Sequence, residues 1–323
     1  MAAEALEARA DRFCAIKIEI GSNFCHAGQV SLDMQMLVSK ESPETLSESQ
    51  RAALISLLVD EDPAIYQIVR RKILSYGQVA CEWLHPHMLS SDPVMRRRAL
   101  EIVHHFARQG SDERFQDFCL HNGEELDLEM AVGLLAQTQY PDTNIEAYQA
   151  LYDSWAAELR TRIDFASGPE QILGLVNQYL FDSLRFAGNE QFSDNPENCY
   201  LNRVVDRRTG NPISLCAIYL FVARRLKLPV TGIGLPGHFI CRFQSSTKEI
   251  YIDAFRRGRF WTKADCIKHL LNNHHGLHEG YLSPVTPRRM LLRMCANLHQ
   301  TYANLEMAEE AARMQRYLVA LAK

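Results

Sequence analysis

LPGHFICRF, residues 235–243, and EIYIDAF, residues 249–255, decide how this chain folds. Each alternates apolar and polar positions as a half-buried strand does, and the polar stretch from Gln244 to Lys248 reads as the turn between them. A turn centred between Ser245 and Ser246 sets His238 opposite Asp253. Directly opposed residues of an antiparallel pair hold their Cβ atoms roughly 4.5 to 5.5 Å apart, so the carboxylate is placed to orient and polarise the imidazole. Cys241 has the opposite strand parity to His238 and is expected in the core.

A His–Asp pair asks for a nucleophile at a helix start. Upstream lies GNPISLCAIYLFVARRLKLP, residues 210–229. Asn211 suits the N-cap, Pro212 the first helical position, and the run from Ile213 to Leu226 supplies a helix apolar nearly all round, hence buried. Ser214 then falls in the first turn, where backbone N–H groups lack partners and the dipole favours anions. Cys216 stands two residues on. At about 100° per residue the two side chains diverge by roughly 200°, so only one of them can face His238. Ser214 is the candidate nucleophile and Cys216 the alternative if the register is displaced; otherwise Cys216 reads as a buried structural thiol.

NPENCYLNRVVDRRTGNPISL, GIGLPGHF and IYIDAFRRG, in that order, resemble the bacterial SirB-type branch of the transglutaminase-like superfamily, over roughly Asp127 to the C-terminus. The resemblance implies a papain-like core with a nucleophile at a helix start, then histidine, then aspartate on consecutive strands. It also implies a helical N-terminal part and a tetratricopeptide-like C-terminal part. Acyl-transferring members carry cysteine as nucleophile; His238 and Asp253 match the other two roles, while Ser214 occupies the nucleophile position. A hydroxyl ionises far less readily than a thiol and would depend wholly on His238 as base.

The whole is therefore expected to be α+β and predominantly helical. Residues 1–162 form a HEAT-like region, 163–262 the transglutaminase-like core with a small antiparallel sheet, and 263–323 a C-terminal helical hairpin. The N-terminal expectation rests on an internal echo: LLVDEDPAIYQIVRRKILSYG and MLSSDPVMRRRALEIVHHFARQG both set Asp-Pro, at Asp62 and Asp92, ahead of an arginine-bearing amphipathic helix. Further helices are read in LEMAVGLLAQ and IEAYQALYDSWAAELRTRI, a break at Ser167-Gly168-Pro169, and a loop through FAGNEQFSDNPEN. Thr262 reads as a helix cap, and the segment from Thr286 as two helices turning near Asn304-Leu305.

Composition narrows the function classes. The 323 residues are 47% hydrophobic, enough for two or three domains, and the formal net charge of −4 gives no general pull toward nucleic acid or acidic membranes. Nine scattered cysteines without a CxxC pair, and no signal sequence, point to a reducing cytoplasm. No apolar stretch approaches the roughly 20 residues that span a bilayer.

Gly232, Gly234 and Gly237 spell a dinucleotide fingerprint, but they follow a helix and lead into a strand, the reverse of what the motif requires. They are read as backbone room beside His238. His104-His105, His274-His275 and His278 lack partners at ligand spacing, so no metal or cofactor is expected. Asn198, Asn202 and Asn211 are candidate binding residues, able to donate to a reacting carbonyl or to hold a loop. Arg203, Arg207 and Arg208 are read as a solvated face. Two functions follow: a degenerate core serving as a protein-interaction or scaffold module with a protein or peptide partner, or a Ser- or Cys-dependent hydrolase or acyltransferase acting on peptide amide bonds.

Overall fold

A computed structural model describes residues 46–272 and 278–323; His274 and His275 fall outside them. The elements that shape the site all belong to the unit Arg51–Lys323. Helices dominate it, with one four-stranded sheet and one two-stranded sheet, so the class is α+β and mostly helical.

Asp62 and Asp92 each cap a helix whose first residue is proline: α1 (Pro63–Ser75) and α3 (Pro93–His121), with α2 (Val79–Leu84) between. The capping carboxylates accept from the N–H of Ala64 at 2.9 Å and of Val94 at 2.8 Å, satisfying donors that a helix start leaves open. α3 runs on through Gly110, and its two halves serve different cores. Met95, Ala99, Ile102 and Phe106 join α1 and α2 in one apolar cluster. Phe115 and Cys119 join the main cluster, which extends to Leu321.

α4 (Leu128–Gln137) and α5 (Ile145–Arg162) follow, capped by Asp127 and Asn144. The Ser167-Gly168-Pro169 break starts α6 (Pro169–Asn177), which widens into a π-helical turn over Gln178–Ser183. The Asn- and Gly-rich stretch is largely loop, but it holds β1 (Ala187–Gly188), which pairs in parallel with β2 (Thr209–Gly210). Between them lies α7 (Leu201–Arg207).

α8 (Pro212–Arg225) is the centre of the molecule, and every residue from Ile213 to Ala223 except Leu220 is buried. Its all-round apolar surface leaves it no solvated face. Against it packs the antiparallel sheet in order β3 (Val230–Ile233), β4 (Ile240–Gln244), β5 (Glu249–Asp253), β6 (Arg259–Trp261). Cys241, Phe243, Ile250 and Ile252 face the main cluster. Ile240, Tyr251 and Trp261 form a second layer with Cys266 and Leu270 of α9 (Lys263–Asn272). Thr262 and Asp265 close a reciprocal cap on α9: the Asp265 N–H donates to the Thr262 hydroxyl, and the Thr262 N–H to the Asp265 carboxylate.

α10 (Pro287–Asn304) and α11 (Ala308–Leu321) close the chain. Arg288 ties them to the end of α3: its buried guanidinium donates to the carbonyls of Cys119, Asn122, Ala320 and Leu321 at 2.6–3.2 Å. Among the described residues no helix is long and apolar enough to cross a membrane.

Candidate active site

His238 stands just ahead of β4, and Asp253 is the last residue of β5. The register differs from the expected one. Cys241 opposes Ile252 and Gln244 opposes Glu249, which centres the turn on Ser246-Thr247, one residue further along. The Ser245 hydroxyl fixes this turn by accepting from the N–H groups of Thr247 at 3.3 Å and Lys248 at 3.1 Å. By that pairing Asp253 continues past Cys241–Ile252, and His238 lies outside the ladder. The imidazole nevertheless reaches the carboxylate from its loop, with Nε2 to Oδ2 at 2.9 Å.

Asp253 is fully buried and holds more than the histidine. Its other oxygen accepts from the Arg256 N–H at 3.2 Å, and the Arg256 side chain lies 3.9 Å from Oδ2. Because a carboxylate only accepts, Nε2 carries the proton of this contact. Nδ1 has no hydrogen-bond partner among the described residues.

Three further groups fix the ring. Phe255 meets it edge-on at 6.1 Å, Trp261 of β6 lies 5.8 Å away, and His269 of α9 5.5 Å away. From α10, Arg293 donates to the carbonyls of Leu235 at 2.7 Å and His238 at 2.8 Å, with its guanidinium over the Phe239 ring. Gly237, at φ 71, makes the turn that delivers His238. Sequence reading missed Arg293, Trp261 and His269. Only Trp261 carried a local signal, being an aromatic residue two positions before a capped helix.

Ser214 is elsewhere engaged. Its hydroxyl donates to the Asn198 carbonyl at 2.7 Å, with the Asn211 carbonyl 3.0 Å away, and no hydrogen bond joins it to His238. Asn211 caps α8 by accepting from the Ser214 N–H at 2.9 Å, and its amide donates to the Cys199 sulfur at 3.0 Å. Cys216 is buried beneath the pair: its thiol approaches the Phe239 carbonyl at 3.5 Å, and Asp253 is within electrostatic reach. Burial holds this thiol well above its ordinary range, helped by Cys241. Cys199 is pushed by burial up to about 12, which leaves almost no thiolate at neutral pH.

The other asparagines hold loops. Asn198 donates to the Phe192 carbonyl at 2.7 Å and accepts from Asn189 at 3.0 Å. Asn202 donates to Thr143 at 3.2 Å and lines a separate cleft of about 680 Å³ with His104, Arg108, Tyr140, Tyr148 and Arg203. Arg203 and Arg207 both pair with Glu197, at 2.9 and 2.6 Å. Arg208 instead covers the rings of Phe186 and Trp155. Among the described residues no cluster of three metal-ligating side chains occurs.

Residues 146–296 match the transglutaminase-like superfamily. A UPF0162 protein of Xylella fastidiosa is 36% identical over 197 residues, covering 59% of this chain and 70% of that one. A UPF0162 protein of Pseudomonas aeruginosa is 31% identical over 144 residues, 43% of this chain and 51% of that one. Human F-box only protein 21 is 35% identical over 136 residues, 40% of this chain but 21% of the human protein. No solved structure matches the chain.

Proposed function

The chain belongs to the UPF0162 family, and from that footing we propose that its transglutaminase-like core is a degenerate one serving as a protein-interaction or scaffold module. The observation that carries the reading is the Ser214 hydroxyl, given to the Asn198 carbonyl instead of to His238. A serine becomes nucleophilic only when a base takes its proton, and this proton points away from the base. Cys216 and Cys199 offer no substitute, since burial keeps both as thiols. What is left is a rigid element: a fully buried aspartate binding a histidine and a backbone N–H, sealed by Arg293.

We read the family branch as SirB-type, residues 1–162 as HEAT-like, 163–262 as the core and 263–323 as tetratricopeptide-like, with helical surfaces offered to a protein or peptide partner in the cytoplasm. Stacked helical pairs bury faces no single pair can bury and leave extended surfaces, which suits such a role. The human relative supports modular use, because the matching segment makes up only 21% of that protein.

The unpartnered Nδ1 of His238 favours a second reading, a hydrolase or acyltransferase in which that nitrogen takes a proton from Ser214 or Cys216 after a rearrangement. Incubating the folded protein with fluorophosphonate and chloroacetamide probes separates the two. The interaction reading expects no adduct whose formation depends on His238. Stoichiometric labelling of Ser214 or Cys216 that disappears in His238→Ala would establish the enzyme instead.

A further inference from the structure

β6 is the last strand of the sheet and pairs only with β5 among the described residues, through Tyr251–Trp261, Ile252–Phe260 and Asp253–Arg259. Its outer edge therefore offers main-chain donors and acceptors to whatever lies beside it. The side chains around this edge are unusual for a chain of formal net charge −4. Arg256, Arg257, Arg259 and Lys263 stand exposed within eight residues, and Asp265 is the nearest acid in sequence. Arg256 lies 3.9 Å from the Asp253 carboxylate, Arg257 is paired with Asp182 at 2.8 Å, and Asp265 is held by Thr262. Neither Arg259 nor Lys263 makes a hydrogen bond or ion pair among the described residues. Phe260, 39% exposed, adds an apolar surface between the charges.

We propose that the β6 edge docks an extended, acidic peptide segment of a partner protein as an additional strand. Main-chain hydrogen bonds supply the affinity and alternate side chains the specificity. Carboxylates of the segment meet Arg259 and Lys263, and an apolar residue meets Phe260. Two copies of this chain cannot pair β6 to β6 without opposing these same cations, so the edge rejects itself and accepts the opposite charge. The segment lies beside the His238–Asp253 pair, because Trp261 on this strand is 5.8 Å from the imidazole ring. The inference rests on the reading of the core as an interaction module and names the partner's chemistry.

The test uses the full chain and a fluorescein-labelled octapeptide of alternating glutamate and valine, followed by anisotropy. Saturable binding is expected, weakened at least about tenfold by the double variant Arg259→Glu, Lys263→Glu, which alters only exposed side chains and should keep the native circular dichroism. Methylating alternate backbone nitrogens of the peptide should abolish binding although its charge is kept. The proposal is overturned if the acidic peptide does not saturate, if the double variant binds it equally, or if the methylated peptide binds as well. It is equally overturned if an oligothymidylate of the same length competes with the same affinity, which would mark a general polyanion surface. A negative result here, together with silent fluorophosphonate and chloroacetamide probes, would remove this surface and leave the interaction reading standing.

Discussion

His238 and Asp253 meet at 2.9 Å although they are not cross-strand partners. The histidine reaches in from the loop before β4, so the contact depends on that loop being held. Asp253→Ala strips a fully buried carboxylate from the imidazole and from the Arg256 N–H. It should cost on the order of 3 kcal/mol in denaturant unfolding. In the wild type, nitrogen NMR of His238 should show the proton on Nε2; a mixture of tautomers would contradict the assignment.

Arg293 holds the loop from the far end of the chain through the Leu235 and His238 carbonyls. Arg293→Met leaves both carbonyls without their charged donor and should lower stability by about 1–3 kcal/mol, with Arg293→Lys recovering part of the loss. Identical melting of wild type and Arg293→Met would show that the clamp contributes nothing.

Ser214→Ala removes one buried hydrogen bond, while the Asn198 carbonyl keeps the Asn211 N–H at 3.2 Å. A loss of about 1 kcal/mol is expected, with the His238 ring resonances unmoved. A large shift of those resonances would place the hydroxyl at the imidazole after all.

His269 gives the stability a dependence on pH. Burial, then the His238 ring and Arg256, hold it below the usual imidazole range, with the Pro236 carbonyl and Asp253 opposing. A histidine whose folded value lies below its unfolded one binds fewer protons when folded. Its stabilising share is then complete above about pH 6.5 and falls as the pH drops through that value toward the folded one. His269→Gln should flatten the decline in stability between about pH 7 and pH 5.5. Parallel profiles for the two proteins would reject this origin.

All seven cysteines among the described residues are buried. Cys119, Cys199 and Cys266 are each raised by burial to about 12. Reaction with a disulfide reagent should be slow at these positions in the native protein and complete in denaturant. Rapid native labelling of Cys199 or Cys216 would expose an accessible thiol that the fold does not contain.

Local chemistry made much of this readable in the sequence. Asn211-Pro212 announced α8, Asp62 and Asp92 announced α1 and α3, and the polar break after Phe243 announced the hairpin. The register was missed because Gln244 to Lys248 contains no residue pair that fixes a turn by backbone preference alone. The determinant is the Ser245 hydroxyl reaching two N–H groups. β1 and β2, two residues each, are too short for any periodicity, and their pairing depends on the chain returning after α7. Arg293 was unreadable for a different reason: its partners lie 55 and 58 residues away, and nothing local marks a buried guanidinium. The first-turn position of Ser214 was legible, but a helix count cannot say which acceptor a first-turn hydroxyl selects.

A high-resolution crystal structure, by the position of the Ser214 hydroxyl, decides between a degenerate core and an active one. Oγ is expected on the Asn198 carbonyl, at 2.7 Å, with no hydrogen bond to His238. An Oγ at about 2.6–3.2 Å from the His238 imidazole would contradict it and restore a nucleophile to the site.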